Sequence, residues 1–258
     1  MKVAVIGKGL IGGSFEKASL RAGHEVVILH HGDETGFESA DIVVVCLPPE
    51  AIAPWVKRHA AAFKPGAMVV DIAGVKRQVM SEMKDVPRGD WTFVGGHPMA
   101  GREVSGYENS LPTLFDGASM ILVPEDDRSV PEGLDAYFRT LGFARVVVTT
   151  AERHDAMIAF TSQLCHVIAT AYSRDPLVEE TTGFTAGSYR DMTRIATQDP
   201  KIWGALYDQN REALLRTVDA FIGRMTEFRE ALASKRQDTV ERLIAEGADA
   251  KRRELGRT

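Results

Sequence analysis

The sequence predicts an α/β chain: an N-terminal, mostly parallel, doubly wound sheet followed by an all-helical C-terminal domain. Three observations carry this. Short apolar runs alternate with helical patterns through the first 150 residues. The first run, Val3 to Ile6, ends in Gly7-x-Gly9-x-x-Gly12 and passes at once into a helix pattern. From Ala151 onward no strand pattern is present.

The opening stretch organises the rest. Gly7 permits a tight turn, Gly9 lets the backbone approach a pyrophosphate, and Gly12 lets the helix pack close to the strand. The N–H groups and positive end of that helix then face the phosphates. Strand, glycine turn and helix in this order are the context a dinucleotide-binding fingerprint requires. It marks a Rossmann-like domain with cofactor positions Gly7, Gly9, Leu10, Ile11 and Gly12. A glycine-rich turn that binds nothing is the plainer reading of the same residues.

The elements follow in order. A helix over Leu10 to Arg21 stops at Gly23. The second strand, Glu25 to Leu29, ends in His30-His31, where an acidic residue would hold the ribose 2′-hydroxyl of NAD. Imidazoles can donate to a 2′-phosphate, so NADP is expected ahead of NAD, unless Asp33 or Glu34 reaches the ribose. Only His30 to Ala40 separates this strand from the third, Asp41 to Leu47, too short a stretch for a full crossover helix. Leu47 and Pro48 close the third strand and join the expected cofactor positions. Helix 50–62, strand 67–72, helix 76–83 and strand 92–94 follow, the last leading into Gly95-Gly96-His97-Pro98, read as a loop. Strand 119–123, helix 130–141 and strand 144–149 complete a dinucleotide-binding domain over 1–150.

Thr149-x-x-Glu152 reads as a capping box that opens a long helix to Ser173. A loop over 175–188, a short helix over 189–196, a long helix from Pro200 to Ala233 and a charged helix over 237–254 fill the second domain, 151–258.

Composition bounds the function. Apolar and aromatic residues make up 44% of 258 residues, enough for a proper core. No apolar run reaches the ~18 residues of a membrane span, and the chain starts directly in a strand without a signal-peptide pattern. A soluble, cytoplasmic protein is expected. Cys46 and Cys165 alone make neither a disulfide framework nor a zinc pattern, so no metal is expected. The net charge of −5 argues against nucleic acid as a partner.

Three groups of residues carry chemistry. His97 follows a strand's carboxyl end, where open sheets bind ligands, and an imidazole with a pKa near 6.5 suits a general base. Asp155, Ser162 and His166 share one helix face, with Gln163 beside them. Among Met157, Ile158, Phe160, Leu164 and Ile168 this polar strip reads as the wall of a polar cavity. No lysine lies between Asp155 and Tyr172, which counts against lysine-dependent hydroxyacid dehydrogenases. Arg190 and Arg194 lie one turn apart and can grip a carboxylate, although surface salt bridges are the commoner use of such a pair.

Taken together, the motifs resemble the prephenate dehydrogenase (TyrA) family of tyrosine biosynthesis. They are Gly7-x-Gly-Leu-Ile-Gly-Gly-Ser14, Gly95-Gly-His-Pro-Met-Ala-Gly101, Ser105-Gly106, His154-Asp155, Ser162-Gln-Leu-Cys-His166 and Arg190-Asp-Met-Thr-Arg194 with Asp199-Pro200 and Trp203. The resemblance implies oxidative decarboxylation of prephenate to 4-hydroxyphenylpyruvate with NAD or NADP. It gives His97 the ring hydroxyl, Arg194 a substrate carboxylate, and His166, Gln163, Arg190 and Asp155 places in or near the substrate site. It also implies a homodimer formed through the helical domain. Gly74 stands at a cofactor-facing position where the family often has serine, and Gln163 and Cys165 stand where it usually has histidine and proline. Arogenate, whose ammonium Glu103 or Glu108 could meet, is the alternative substrate. Another NAD(P)-dependent reductase, or a non-catalytic nucleotide-binding relative, is the second alternative.

Overall fold

The computed structural model describes residues 1–30, 32–102, 104–125 and 129–256. Its first part alternates strands and helices. These are β1 (Lys2–Ile6), α1 (Leu10–Arg21), β2 (Glu25–Leu29), β3 (Ile42–Val45), α2 (Pro49–His59), β4 (Ala67–Asp71), α3 (Arg77–Met83), β5 (Trp91–Pro98), β6 (Ser119–Pro124), α4 (Leu134–Thr140) and β7 (Arg145–Val148). The strands form one sheet in the order β2-β1-β3-β4-β5-β6-β7. Every neighbouring pair is parallel except β5–β6. The expected doubly wound, mostly parallel sheet is therefore present. The chain reverses its direction of winding between β1 and β3, and a crevice at such a point is where open sheets take ligands.

Side-chain alternation builds a core on each face of the sheet. Ala4, Ile6, Val43, Val45, Val69 and Phe93 point to one side, against Ile52 and Val56 of α2 and Val79 and Met83 of α3. Val3, Val5, Ile42, Val44, Val70 and Val94 point to the other, against Phe15 of α1 and Tyr137 and Phe138 of α4. Strands covered on both faces need apolar residues at every position, which is why these runs do not alternate with polar ones. No helix forms between β2 and β3 among the described residues. Phe37 fills the place instead, fully buried against the rings of Trp55, His59 and Phe63.

The segment Gly95-Gly96-His97-Pro98 is strand, not the loop expected from its glycines and proline. It pairs antiparallel with β6, His97 opposite Ile121. The glycines serve close approach. A Cβ on Gly95 would lie 2.9 Å from the Met80 sulfur, and one on Gly96 2.5 Å from the Asp71 carbonyl oxygen.

The helical part contains α5 (Ala151–Ile158), a π turn (Ala159–Gln163), α6 (Leu164–Tyr172), α7 (Gly187–Thr193), α8 (Pro200–Gln209), α9 (Arg211–Ala233) and α10 (Gln237–Leu255). Two helices expected to be continuous are interrupted. The 151–173 helix takes a wide turn at Ala159–Gln163, and the 200–233 helix breaks at Asn210. The chain from Met1 to Asn210 forms one compact unit, and from Arg211 onward α9 and α10 pack on each other in a second. Among the described residues no helix is long and apolar enough to cross a membrane.

Gly12 tests how tightly the first helix is set. An added Cβ would lie 1.9 Å from the Gly7 carbonyl oxygen. Gly12→Ala should cost about 1–3 kcal/mol, read as a lower midpoint in urea denaturation. An unchanged midpoint would show that α1 can shift away freely.

Candidate active site

The glycine turn shapes a cleft at the β1/β3 crevice. Gly7 has φ of 107°, open to glycine, and its Cβ would lie 2.3 Å from the Cys46 carbonyl oxygen. A Cβ on Gly9 would meet nothing within 4 Å, so Gly9 faces open space. The first helical bond of α1 runs from the Gly13 amide to the Gly9 carbonyl, so the amides of Leu10, Ile11 and Gly12 precede the helical ladder. The cleft holds about 420 Å³ and is lined by Gly7, Lys8, Gly9, His30, Cys46, Leu47, Pro48 and Ala51. Lys8, Cys46 and Ala51 are additions to the expected positions. An open glycine beneath three amides outside the helical ladder is a cradle for a pyrophosphate, and these residues fit a dinucleotide.

At the far end of the cleft, the His30 amide donates to the Asp33 carboxylate at 2.7 Å. Glu34 turns away to pair with Arg58 and His59. His31 lies outside the described residues.

The second centre is built around His97. Its Nδ1 lies 2.9 Å from Nε2 of His154, whose Nδ1 lies 2.7 Å from the Asp155 carboxylate. His154 and Asp155 are buried. The Asp155 oxygens also accept from the amides of Lys76, at 2.8 Å, and Arg77, at 2.9 Å. Beneath this row lies a fully buried ion pair, Lys76 with Asp71, 2.5 Å apart. Asp71 accepts in addition from the amides of Ala73 and Gly96. Burial holds the His97 imidazole well below its usual pKa, and His154 and the Lys76 ammonium push the same way. Burial also lowers the Lys76 pKa, against the pull of Asp71.

Gly74 faces this centre. A Cβ there would lie 4.0 Å from both Cε1 and Nε2 of His97 and 3.7 Å from Leu206 of α8. Gln163 donates to the Leu206 carbonyl at 3.1 Å, and Asn210 donates to the Gln163 amide oxygen at 2.8 Å and the Asp155 carbonyl at 2.9 Å. Gln163 thus braces α8 through both ends of its amide. Asp155 stands behind His154 with its carboxylate held inside the protein. The wide π turn separates these residues from His166, whose ring lies on Trp203, centroids 3.7 Å apart. His166 Nδ1 donates to the Ile195 carbonyl at 3.1 Å, which sets the turn carrying Arg194 beside α6. The Arg194 amide bonds the Arg190 carbonyl, so these arginines stand one turn apart, both exposed.

His154, Lys76, Asp71, Leu206 and Asn210 were not among the expected site residues. Only the adjacency of His154 to Asp155 was a signal. Lys76, Leu206 and Asn210 are drawn in by contacts across 43 to 79 residues of sequence, and Asp71 enters through Lys76. Among the described residues no group of histidines, cysteines and carboxylates could hold a metal.

Family models place this geometry. The model described as "Prephenate dehydrogenase, nucleotide-binding domain" matches residues 2–148, and the one described as "Prephenate dehydrogenase, dimerization domain" matches residues 150–246. The chain belongs to the prephenate dehydrogenase family. A cyclohexadienyl dehydrogenase from Zymomonas mobilis is 31% identical over 272 residues, covering 92% of this chain and 90% of that protein. A prephenate dehydrogenase from Lactococcus lactis is 26% identical over 277 residues, covering 95% of this chain and 75% of that one. The structure of the prephenate dehydrogenase of A. aeolicus with hydroxyphenyl propionate and NAD+ superposes with a TM-score of 0.82 at 25% identity, covering 99% and 98% of the two chains. The Synechocystis arogenate dehydrogenase shares the fold, with a TM-score of 0.84 at 22% identity and 98% and 99% coverage. At this centre Gly74 faces the His97 ring and Gln163 braces the helix opposite it.

The lowered pKa of His97 has a definite sign in the pH profile. The imidazole stays neutral, and able to accept a proton, until the pH falls through its depressed value. The acid limb of kcat/KM should therefore lie well below pH 6.5. A midpoint at or above that value would show that another group controls the limb.

Proposed function

We propose that the chain catalyses the oxidative decarboxylation of prephenate to 4-hydroxyphenylpyruvate, with His97 as the base. The observation that carries this is the half-buried His97 imidazole, held neutral on a strand near the carboxyl edge of the sheet that forms the dinucleotide cleft. When bound, the nicotinamide accepts hydride from the ring carbon that bears the hydroxyl. His97 accepts the hydroxyl proton as the hydride leaves. Carbon dioxide then departs, the ring becomes aromatic, and the oxygen takes a proton back to become the phenol. The proton is therefore lent and returned, and an imidazole with a depressed pKa returns it readily. Arg194, with Arg190 a turn away, offers planar forks for the substrate carboxylates, and His166 stands on the same wall. Asp155 and Gln163 act behind this wall, through His154 and α8.

Gly7, Gly9 and the amides of Leu10, Ile11 and Gly12 would hold the cofactor's pyrophosphate, with Leu47, Pro48 and Gly74 along its path toward His97. His30 supports NADP by offering an imidazole to a 2′-phosphate. The Asp33 carboxylate on the His30 amide supports the second reading, NAD, because it sets a negative charge beside that place. Prephenate is favoured over arogenate. The Glu108 carboxylate folds back over Gly106, and Glu103 lies outside the described residues. A cytoplasmic homodimer is part of the proposal. The helical region matches a family dimerization domain, and α9 exposes Leu215, Ile222, Met225 and Leu232.

The test crosses prephenate and arogenate with NAD and NADP and follows absorbance of the reduced nicotinamide. The prephenate–NADP pair should give the highest kcat/KM. Silence in all four, with cofactor bound, would end the proposal. His97→Asn should lower kcat roughly 10²–10⁴-fold with little change in cofactor affinity. An unchanged kcat would remove His97 from the role of base. Asp33→Asn should raise the ratio of NADP to NAD affinity, and an unchanged ratio would mean that Asp33 lies away from the ribose.

A further inference from the structure

We propose that His154, anchored by Asp155, is a positioning residue that fixes the tautomer of His97 so that its Nε2 lone pair faces the substrate. This rests on His97 being the base.

The hydrogens along the row can be assigned from one end. Both Asp155 oxygens accept backbone N–H groups, from Lys76 and Arg77, so the carboxylate acts as an acceptor toward His154 as well. The hydrogen in the 2.7 Å contact then sits on His154 Nδ1. A neutral imidazole carries one N–H, which leaves a lone pair on His154 Nε2. That lone pair lies 2.9 Å from His97 Nδ1, so the hydrogen between the rings belongs to His97. His97 Nε2 is left as an acceptor, on the ring edge that faces Gly74. Which nitrogen of an imidazole is protonated is set by the hydrogen bond made at the other.

Among the described residues, nothing on the opposite edge does the same work. Glycine at position 74 has no side chain to hold Nε2, and the atom nearest to a Cβ there belongs to Leu206, which is apolar. The charged groups around the ring are Lys76, committed to Asp71, and Asp155, committed to His154 and two amides. The tautomer of His97 thus depends on its Nδ1 side alone. Without His154, the hydrogen can move to Nε2, and an imidazole protonated there cannot take the hydroxyl proton. A misassigned tautomer of this kind slows an imidazole base while leaving the site's shape intact.

The experiment compares His154→Phe, His154→Gln and His97→Asn in the full chain. It measures kcat, KM, cofactor affinity and the ¹⁵N spectrum of labelled histidine, with His97 assigned from its own variant. In the unsubstituted protein His97 should carry its hydrogen on Nδ1. In His154→Phe it should move to Nε2, and kcat should fall about 10²-fold, with KM and cofactor affinity changed by no more than about threefold. A glutamine amide can donate to Asp155 or accept from His97, so His154→Gln should recover part of kcat. A hydrogen on Nε2 in the unsubstituted protein would overturn the proposal, whatever the variants do. So would a kcat within about twofold of normal in His154→Phe. If His97→Asn keeps a normal rate, the base assignment fails. If His97→Asn is inactive and His154→Phe is not, only this inference fails.

Discussion

The buried carboxylate of Asp155 joins the first helix after the sheet to the start of α3. Its oxygens collect the amides of Lys76 and Arg77 at the start of α3 and the Nδ1 hydrogen of His154, while its own carbonyl accepts from Asn210. A carboxylate taken out of water without such partners costs several kcal/mol. These bonds hold helix α5 with Asp155 over the first amides of α3. That placement brings His154 to His97. One desolvated charge thus sets the docking of a helix and the surroundings of the candidate base.

A second buried charge works from below. Lys76 and Asp71 are both fully buried, and Asp71 binds two backbone amides besides the ammonium. Buried pairs of this kind add little net stability, because desolvation offsets the attraction. Their effect here is local. The ammonium beside His97 adds to burial in keeping the imidazole neutral. The glycines at 95 and 96 make room for this arrangement, since side chains there would strike Met80, Lys76 and the β4 backbone.

The irregularities of the helical part also bear on the site. A π turn widens the helix between Asp155 and His166 and directs the Gln163 amide inward to Leu206 and Asn210. Such turns are uncommon and gather at functional sites. The break at Asn210 frees its side chain to bond the Asp155 carbonyl and Gln163. These contacts hold Leu206 across from Gly74.

Much was legible in the sequence because it is local. The glycine turn, the strand and helix order, the shortness of the link after β2 and the candidacy of His97 all follow from neighbouring residues and their periodicity. The strand character of Gly95–Pro98 was not legible, because the pairing with β6 and the crowding by Met80 and Asp71 that select it come from elsewhere in the chain. The same holds for the π turn, the break at Asn210, and the row from Asp155 through His154 to His97. Sequence alone determined the class of fold and the types of group available for chemistry. The tertiary structure decided which of those groups touch, because the bonds that orient them span tens of residues and form only where burial makes an unpaired polar group too costly to leave.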